Sequence, residues 1–196
     1  MGLQKIYLLR HGQTEWTISG RHTGITEVPL TPHGEEEARA MGQRLRGVIF
    51  QRVLTSPRLR ARRTCELAGW GAAAEVVEDL HEWNYGAYEG LLPSEILARQ
   101  PGWNVFDDGC PGGETPADTQ IRADRLLATL RKAEGNIALF SHGHFTRVLA
   151  ARWVGLPVAQ GQILASTTGS VSILGFNGTG DKPVIHLWNM TSQNNP

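Results

Sequence analysis

The sequence predicts an α/β fold with a mostly parallel central sheet and helices on both faces. Three observations carry that expectation. Short apolar runs of strand length alternate with segments of helical periodicity. The helical segments open on recognisable start signals. No internal repeat or low-complexity tract interrupts the alternation. Strands separated by helices pair in parallel through crossovers, which cover the sheet on both sides.

The elements follow in order. Lys5–Leu9 reads as a buried strand. Thr31-Pro32 supplies an N-cap and a first-turn proline, and Glu35, Glu36 and Glu37 complement the helix dipole. Ala38, Met41, Leu45 and Val48 continue at helical spacing. Gln51–Thr55 is a second strand, and Ser56-Pro57 opens a helix through about Ala68. Glu75–Val77 reads as a short third strand, and Gly112-Gly113 as a loop. Thr115-Pro116-Ala117-Asp118 resembles a capping box, opening a helix to about Ala133. Asn136–Phe140 is a strand, Phe145–Val154 a helix, and Ser170–Leu174 and Val184–Trp188 are closing strands.

Composition bounds the function. At 196 residues, a single domain spanning 1–196 is the simplest reading, with enough chain to bury a core unaided. The net charge is zero, 19 basic against 19 acidic residues, but the balance is uneven. Arg39 to Arg63 contains eight arginines and no acid, whereas Glu75 to Glu134 contains twelve acids against five bases. The basic block holds a single aromatic, Phe50, too few for stacking on successive bases, so nucleic-acid binding is not expected. No run of 18 apolar residues exists, so no membrane span is expected. Ile6–Leu9 is too short for a signal-peptide core, and two cysteines are too few for a disulfide scaffold or a cysteine zinc site. A reducing cytoplasm fits these features. Without a secretion signal, the glycosylation patterns at Asn177 and Asn189 count as chance matches.

Ligands of parallel α/β sheets bind beyond the C-terminal strand ends. Arg10-His11-Gly12 follows the first strand, Ser56, Arg58 and Arg60 the second, and Ser141-His142-Gly143-His144 the strand at Asn136–Phe140. Histidines and arginines from separate parts of the chain should therefore share one rim. A neutral imidazole can attack phosphorus, and arginines stabilise the charge on a transferring phosphoryl group. Glycine at Gly12 and Gly143 would let backbone amides approach an anion. Two other readings stand at this point: His142-x-His144 has metal-ligand spacing, and Arg58, Arg60, Arg62 and Arg63 could be a solvated helix face.

Leu9-Arg10-His11-Gly12-Gln13-Thr14-Glu15-Trp16 resembles the hallmark of the histidine phosphatase superfamily, in its phosphoglycerate-mutase-like branch. The likeness continues at Thr23-Gly24, Pro29–Gly34, Ser56–Ala61 with Thr64, Glu82–Gly90, Pro111–Glu114 and Ser141–His144. It implies a three-layer α/β/α sandwich of phosphoglycerate-mutase-like type. It also implies His11 as the nucleophile that becomes phosphohistidine, Glu82 as the general acid, and Arg10, Arg60 and His142 as the phosphate pocket. Gln13, Thr17, Thr23, Gly24, Tyr85, Gly143 and His144 follow as substrate-binding positions. The family uses no metal, and no cofactor is expected. Among the aromatics, Trp16 and Tyr88 are expected in the core and Tyr85 at the ligand.

Three departures favour hydrolysis over mutase chemistry. Thr17 stands where the family often has Asn, Trp83 follows Glu82 where mutases usually carry Arg, and a basic insertion is missing, leaving mainly Arg99 between Glu82 and Arg122. The branch most similar is the sugar-bisphosphatase type, which implies a small phosphorylated metabolite such as a sugar phosphate or bisphosphate. A phosphoglycerate mutase and a catalytically silent phosphate-binding member are the alternatives. The sequence sets no subunit number; a homodimer is compatible with it.

Overall fold

The computed structural model describes residues 4–178, 180 and 182–191. One six-stranded sheet runs in the order β3-β2-β4-β1-β5-β6. Its strands are β1 (Lys5–Arg10), β2 (Arg52–Thr55), β3 (Ala74–Val76), β4 (Ile137–Ser141), β5 (Val171–Phe176) and β6 (Pro183–Met190). The first four strands pair in parallel, and β5 and β6 are antiparallel additions beside β1.

The period-2 alternation of each strand builds the three layers. Ile6 and Leu8 of β1, Leu54 of β2 and Ile137 and Leu139 of β4 face one way. They pack with Leu126, Leu127 and Leu130 of α6 (Pro116–Leu130) and Phe145, Leu149 and Trp153 of α7 (Gly143–Trp153). Tyr7, Leu9, Val53, Ala138 and Phe140 face the other way, where α2 (Pro32–Arg44) and α3 (Leu59–Leu67) add Met41 and Cys65. Every residue of β4 is buried, as befits a central parallel strand covered on both faces.

The expected caps form. Thr31 Oγ1 accepts the Gly34 amide, and Thr115 and Asp118 exchange the hydrogen bonds of a capping box. Several boundaries differ from expectation. The Ser56-Pro57 pair does not begin a helix; α3 starts at Leu59 with Arg58 as its uncapped N-cap. Leu45 and Val48 lie beyond α2, which ends at Arg44, and α6 stops at Leu130 rather than Ala133. Three short helices were not expected: α1 (Glu15–Ser19), α4 (Pro93–Arg99) and α5 (Val105–Asp108). Each is too short to show a helical repeat; the buried Ile96, Val105 and Phe106 hold α4 and α5, and α1, which buries no residue, is held by its Thr14–Thr17 capping box. No helix among the described residues is long and apolar enough to cross a membrane.

β1, β2 and β4 lie side by side, with Arg10 opposite Ser141 and Thr55 opposite Phe140. Their C-terminal ends therefore deliver Arg10-His11, Ser56 and His142 to one rim.

Candidate active site

A cavity of about 540 Å³ opens at that rim, lined at its inner end by Arg10, His11, Glu82, Gly143 and His144. His11 is buried, and its Nδ1 lies 2.8 Å from the Gly12 carbonyl oxygen. A carbonyl only accepts, so Nδ1 carries the proton and Nε2 the lone pair. Arg60 Nε donates to Nε2 at 3.3 Å. Burial holds the His11 imidazole well below its ordinary basicity, and the Arg60 and Arg10 charges reinforce this.

Arg60 is fully buried, unlike a solvated helix face. Its other nitrogens donate to the carbonyls of Thr26 (3.1 Å), Thr23 (2.8 Å) and Gly24 (3.1 Å). The backbone of that loop thus aims the guanidinium at His11. Four other cations of the block are paired with carboxylates: Arg39 and Arg63 with Glu35, Arg52 with Glu75, and Arg58 with Glu27.

The His142 ring stands 5.2 Å from that of His11, centroid to centroid. Its Nε2 lies 2.7 Å from Ser56 Oγ, which also accepts the Arg58 amide at 3.2 Å. Ser56 is fully buried, so its hydroxyl proton needs an acceptor, and His142 Nε2 is the acceptor at hand. That assigns the ring proton of His142 to Nδ1, which is buried without a protein partner. Tyr85 and His144 repeat the device. Burial pushes the Tyr85 phenol well above its usual range, so it keeps its proton and donates to His144 Nδ1 at 2.6 Å. Burial holds both histidines well below ordinary basicity, so each is neutral. The two side chains diverge to separate hydroxyl partners, and among the described residues no group of three or more His, Cys, Asp or Glu side chains is placed to hold a metal ion.

Glu82 is buried beside the N-terminus of α7. Its Oε1 accepts the amides of Trp83 and Phe145 at 2.9 Å each, and Oε2 accepts that of His144 at 3.0 Å. These bonds fix the carboxyl group in the cavity wall facing His11.

The remaining expected residues divide. Thr17, Thr23, Tyr85, Gly143 and His144 line the cavity, but Gln13 and Gly24 do not. The Gln13 side chain accepts from Thr31; the Gly24 carbonyl accepts from Arg60 and its amide donates to the Glu89 carboxylate. Thr17 caps α1 through Thr14. Gly12 does not offer its amide to the cavity, since that amide donates to Thr64 Oγ1 at 3.0 Å. Its lack of a side chain serves packing: a Cβ would stand 2.2 Å from the Gly34 carbonyl oxygen. At Gly143 a Cβ would press on the Arg10 guanidinium at 3.1 Å.

Trp16 lines the cavity instead of joining the core, because α1 lays it across the mouth; Tyr88 is in the core as expected. Arg21, Trp103, Asn104, Phe106, Gln162 and Ser166 also line the cavity and were not singled out in the sequence. They sit on short helices and loops with no motif to mark them. Ser56, expected at the rim after the second strand and also as a helix start, stands beside His142 and starts no helix.

The histidine phosphatase superfamily (branch 1) matches residues 6–191. An acid phosphatase of Mycobacterium tuberculosis is 43% identical over 176 residues, covering 88% of this chain and 86% of that protein. A sedoheptulose 1,7-bisphosphatase of Saccharomyces cerevisiae is 39% identical over 183 residues, covering 77% of this chain and 68% of that protein. A solved structure of a Mycobacterium tuberculosis open reading frame superposes with a TM-score of 0.90 at 40% identity, covering 96% of this chain and 98% of that one. The fold and the site define a phosphatase-type enzyme, as the names of these relatives support. The chain belongs to the histidine phosphatase superfamily.

Proposed function

We propose that this protein is a metal-independent phosphatase that hydrolyses a small phosphomonoester, a phosphorylated sugar or sugar bisphosphate, through a phosphohistidine on His11. The observation that carries the reading is the state of His11: neutral, with Nδ1–H fixed on the Gly12 carbonyl and the Nε2 lone pair turned toward Arg60. His11 Nε2 attacks phosphorus, and the bond from phosphorus to the ester oxygen breaks. Arg10, Arg60 and His142 Nδ1–H hold the phosphoryl oxygens, and Glu82 gives a proton to the leaving alkoxide. Water then attacks the phosphohistidine. Glu82 takes its proton, phosphate leaves, and His11 returns to its starting form.

The outer cavity supports the substrate class. Arg21 and Arg147 line it together with Trp16, Trp103 and Phe106. That wall suits an elongated polar metabolite with apolar edges and a second anionic group. The sedoheptulose bisphosphatase relative points the same way.

The test is a panel of phosphorylated metabolites assayed by phosphate release, with excess chelator present. It includes 3-phosphoglycerate with and without bisphosphoglycerate. Hydrolysis that persists with chelator and falls by at least about 10³-fold in His11→Ala is expected. Mutase product, or wild-type turnover by His11→Ala, would sink the reading.

A further inference from the structure

We infer that Asn189, on the last strand of the sheet, is a positioning residue for the Arg10 guanidinium, acting through the loop of residues 165–168. The starting point is an irregularity in the pairing of β5 with β6. Val171 pairs with Met190 and Ile173 with Leu187, so Ser172 alone faces both Trp188 and Asn189. That is a β-bulge, a device that re-aims side chains and often borders active sites. Asn189 sits at its bend with φ of 57°, the one non-glycine residue with positive φ among those described. Asparagine tolerates that left-handed conformation better than most residues.

The bulge sends two successive side chains to the same loop. Trp188 Nε1 donates to the Ala165 carbonyl at 2.6 Å. Asn189 Oδ1 accepts the Thr167 amide at 2.7 Å, and its Nδ2 donates to Thr167 Oγ1 at 3.1 Å. Ser166 lies between these anchors. It lines the cavity, and its carbonyl accepts from Arg10 Nη1. This is the one hydrogen bond of the Arg10 side chain among the described residues, and its buried Nε has no partner. The backbone of the strand end is held separately, by Arg10 N on Ser170 O and Gly169 N on His11 O, each at 3.1 Å. Loss of the Asn189 grip should therefore leave His11 in place and release the guanidinium. Arg10 lies far from Asn189 in sequence, and no motif contains both.

The inference rests on the proposed role of Arg10 as a phosphate ligand, and a double-mutant cycle separates the two ideas. Asn189→Gly keeps the left-handed backbone and removes the grip; Asn189→Asp keeps the Oδ1 acceptor. The readouts are kcat/KM for p-nitrophenyl phosphate and inhibition by inorganic phosphate. Asn189→Gly is expected to lower kcat/KM and phosphate affinity about tenfold, with Asn189→Asp recovering most of both. In the Arg10→Gln background, Asn189→Gly should cost less than a further twofold. A full tenfold loss in that background, or no loss in the wild-type background, overturns the inference. If Arg10→Gln itself keeps wild-type phosphate affinity, the proposed site falls instead. Should Asn189→Gly fail to fold, the nearly isosteric Thr167→Val, which removes the Nδ2 acceptor, is scored by the same cycle.

Discussion

The inner and outer ends of the cavity are built by different means. At the inner end, His11 lines the cavity and the fully buried His142 and Ser56 stand beside it; the three directly follow β1, β4 and β2, neighbouring parallel strands. Buried partners fix the polar groups here: Gly12 O and Arg60 Nε for His11, Ser56 Oγ for His142, and three backbone amides for Glu82. At the outer end, the wall comes from α1, α5 and the segment Val158–Ile163. Its hydrogen bonds are as short as those inside, but they tie short helices and loops to one another and not to strand ends. Arg147, for example, rests on the Gly161 and Gln162 carbonyls with its guanidinium 4.5 Å over the Phe106 ring. The contrast teaches a division of labour. A reacting phosphorus needs donors held within fractions of an ångström, which strand ends provide, whereas substrate choice can be written on replaceable loops.

The comparison can be broken most sharply at Glu82. Glu82→Gln should lower kcat by about 10²–10⁴-fold for alkyl phosphates, whose leaving oxygen needs a proton. Activated aryl phosphates should lose much less, and an equal loss for both would remove the acid role. Ser56→Ala comes next. It strips His142 Nε2 of its buried partner, and the penalty of about 1–3 kcal/mol corresponds to roughly tenfold or more in kcat/KM. That loss should be the same for aryl and sugar phosphates, because the proposed mechanism sets His142 against the phosphoryl oxygens and not the leaving group.

The outer end should answer differently. Arg21→Gln is expected to lower kcat/KM about fivefold for a bisphosphate and to leave p-nitrophenyl phosphate unchanged, in line with the small worth of a part-exposed charge. A uniform loss would show that the two ends are not separable. Stability should carry a separate mark of the buried inner end. Burial keeps His11, His142 and His144 neutral in the folded chain, whereas the unfolded chain takes up protons as pH falls below about 6.5. Above that pH both states are neutral and no dependence arises. Below it, each histidine removes up to about 1.4 kcal/mol per pH unit. Denaturant midpoints at pH 7 and pH 5 check this, and His144→Gln should flatten the slope; a flat wild-type profile would refute it.

Much of the inner end was legible in the chain because its residues sit beside strands, where topology alone brings them together. Arg10, His11 and His142 needed only the strand order. Arg60 could be preferred over Arg58 from the motif, and its burial against three carbonyls gives the physical reason. Ser56 carried two readings, a rim residue and a helix start; the first held and the second did not, and the nearby His142 ring shows which use the serine has. Gly12 was misread. It permits contact with Gly34, not an anion, and that depends on how α2 approaches β1.

The sequence by itself determined the alternation of strands and helices, and hence a layered parallel sheet with a histidine-arginine rim. Apolar periodicity and strand order are local properties, written in neighbouring residues. Tertiary structure alone decided the tautomers of three histidines, the outer wall, and the link from Asn189 through Ser166 to Arg10. Each depends on partners far apart in the chain that meet only when the sheet is covered on both faces, and a hydrogen bond has meaning only once both of its ends are in place.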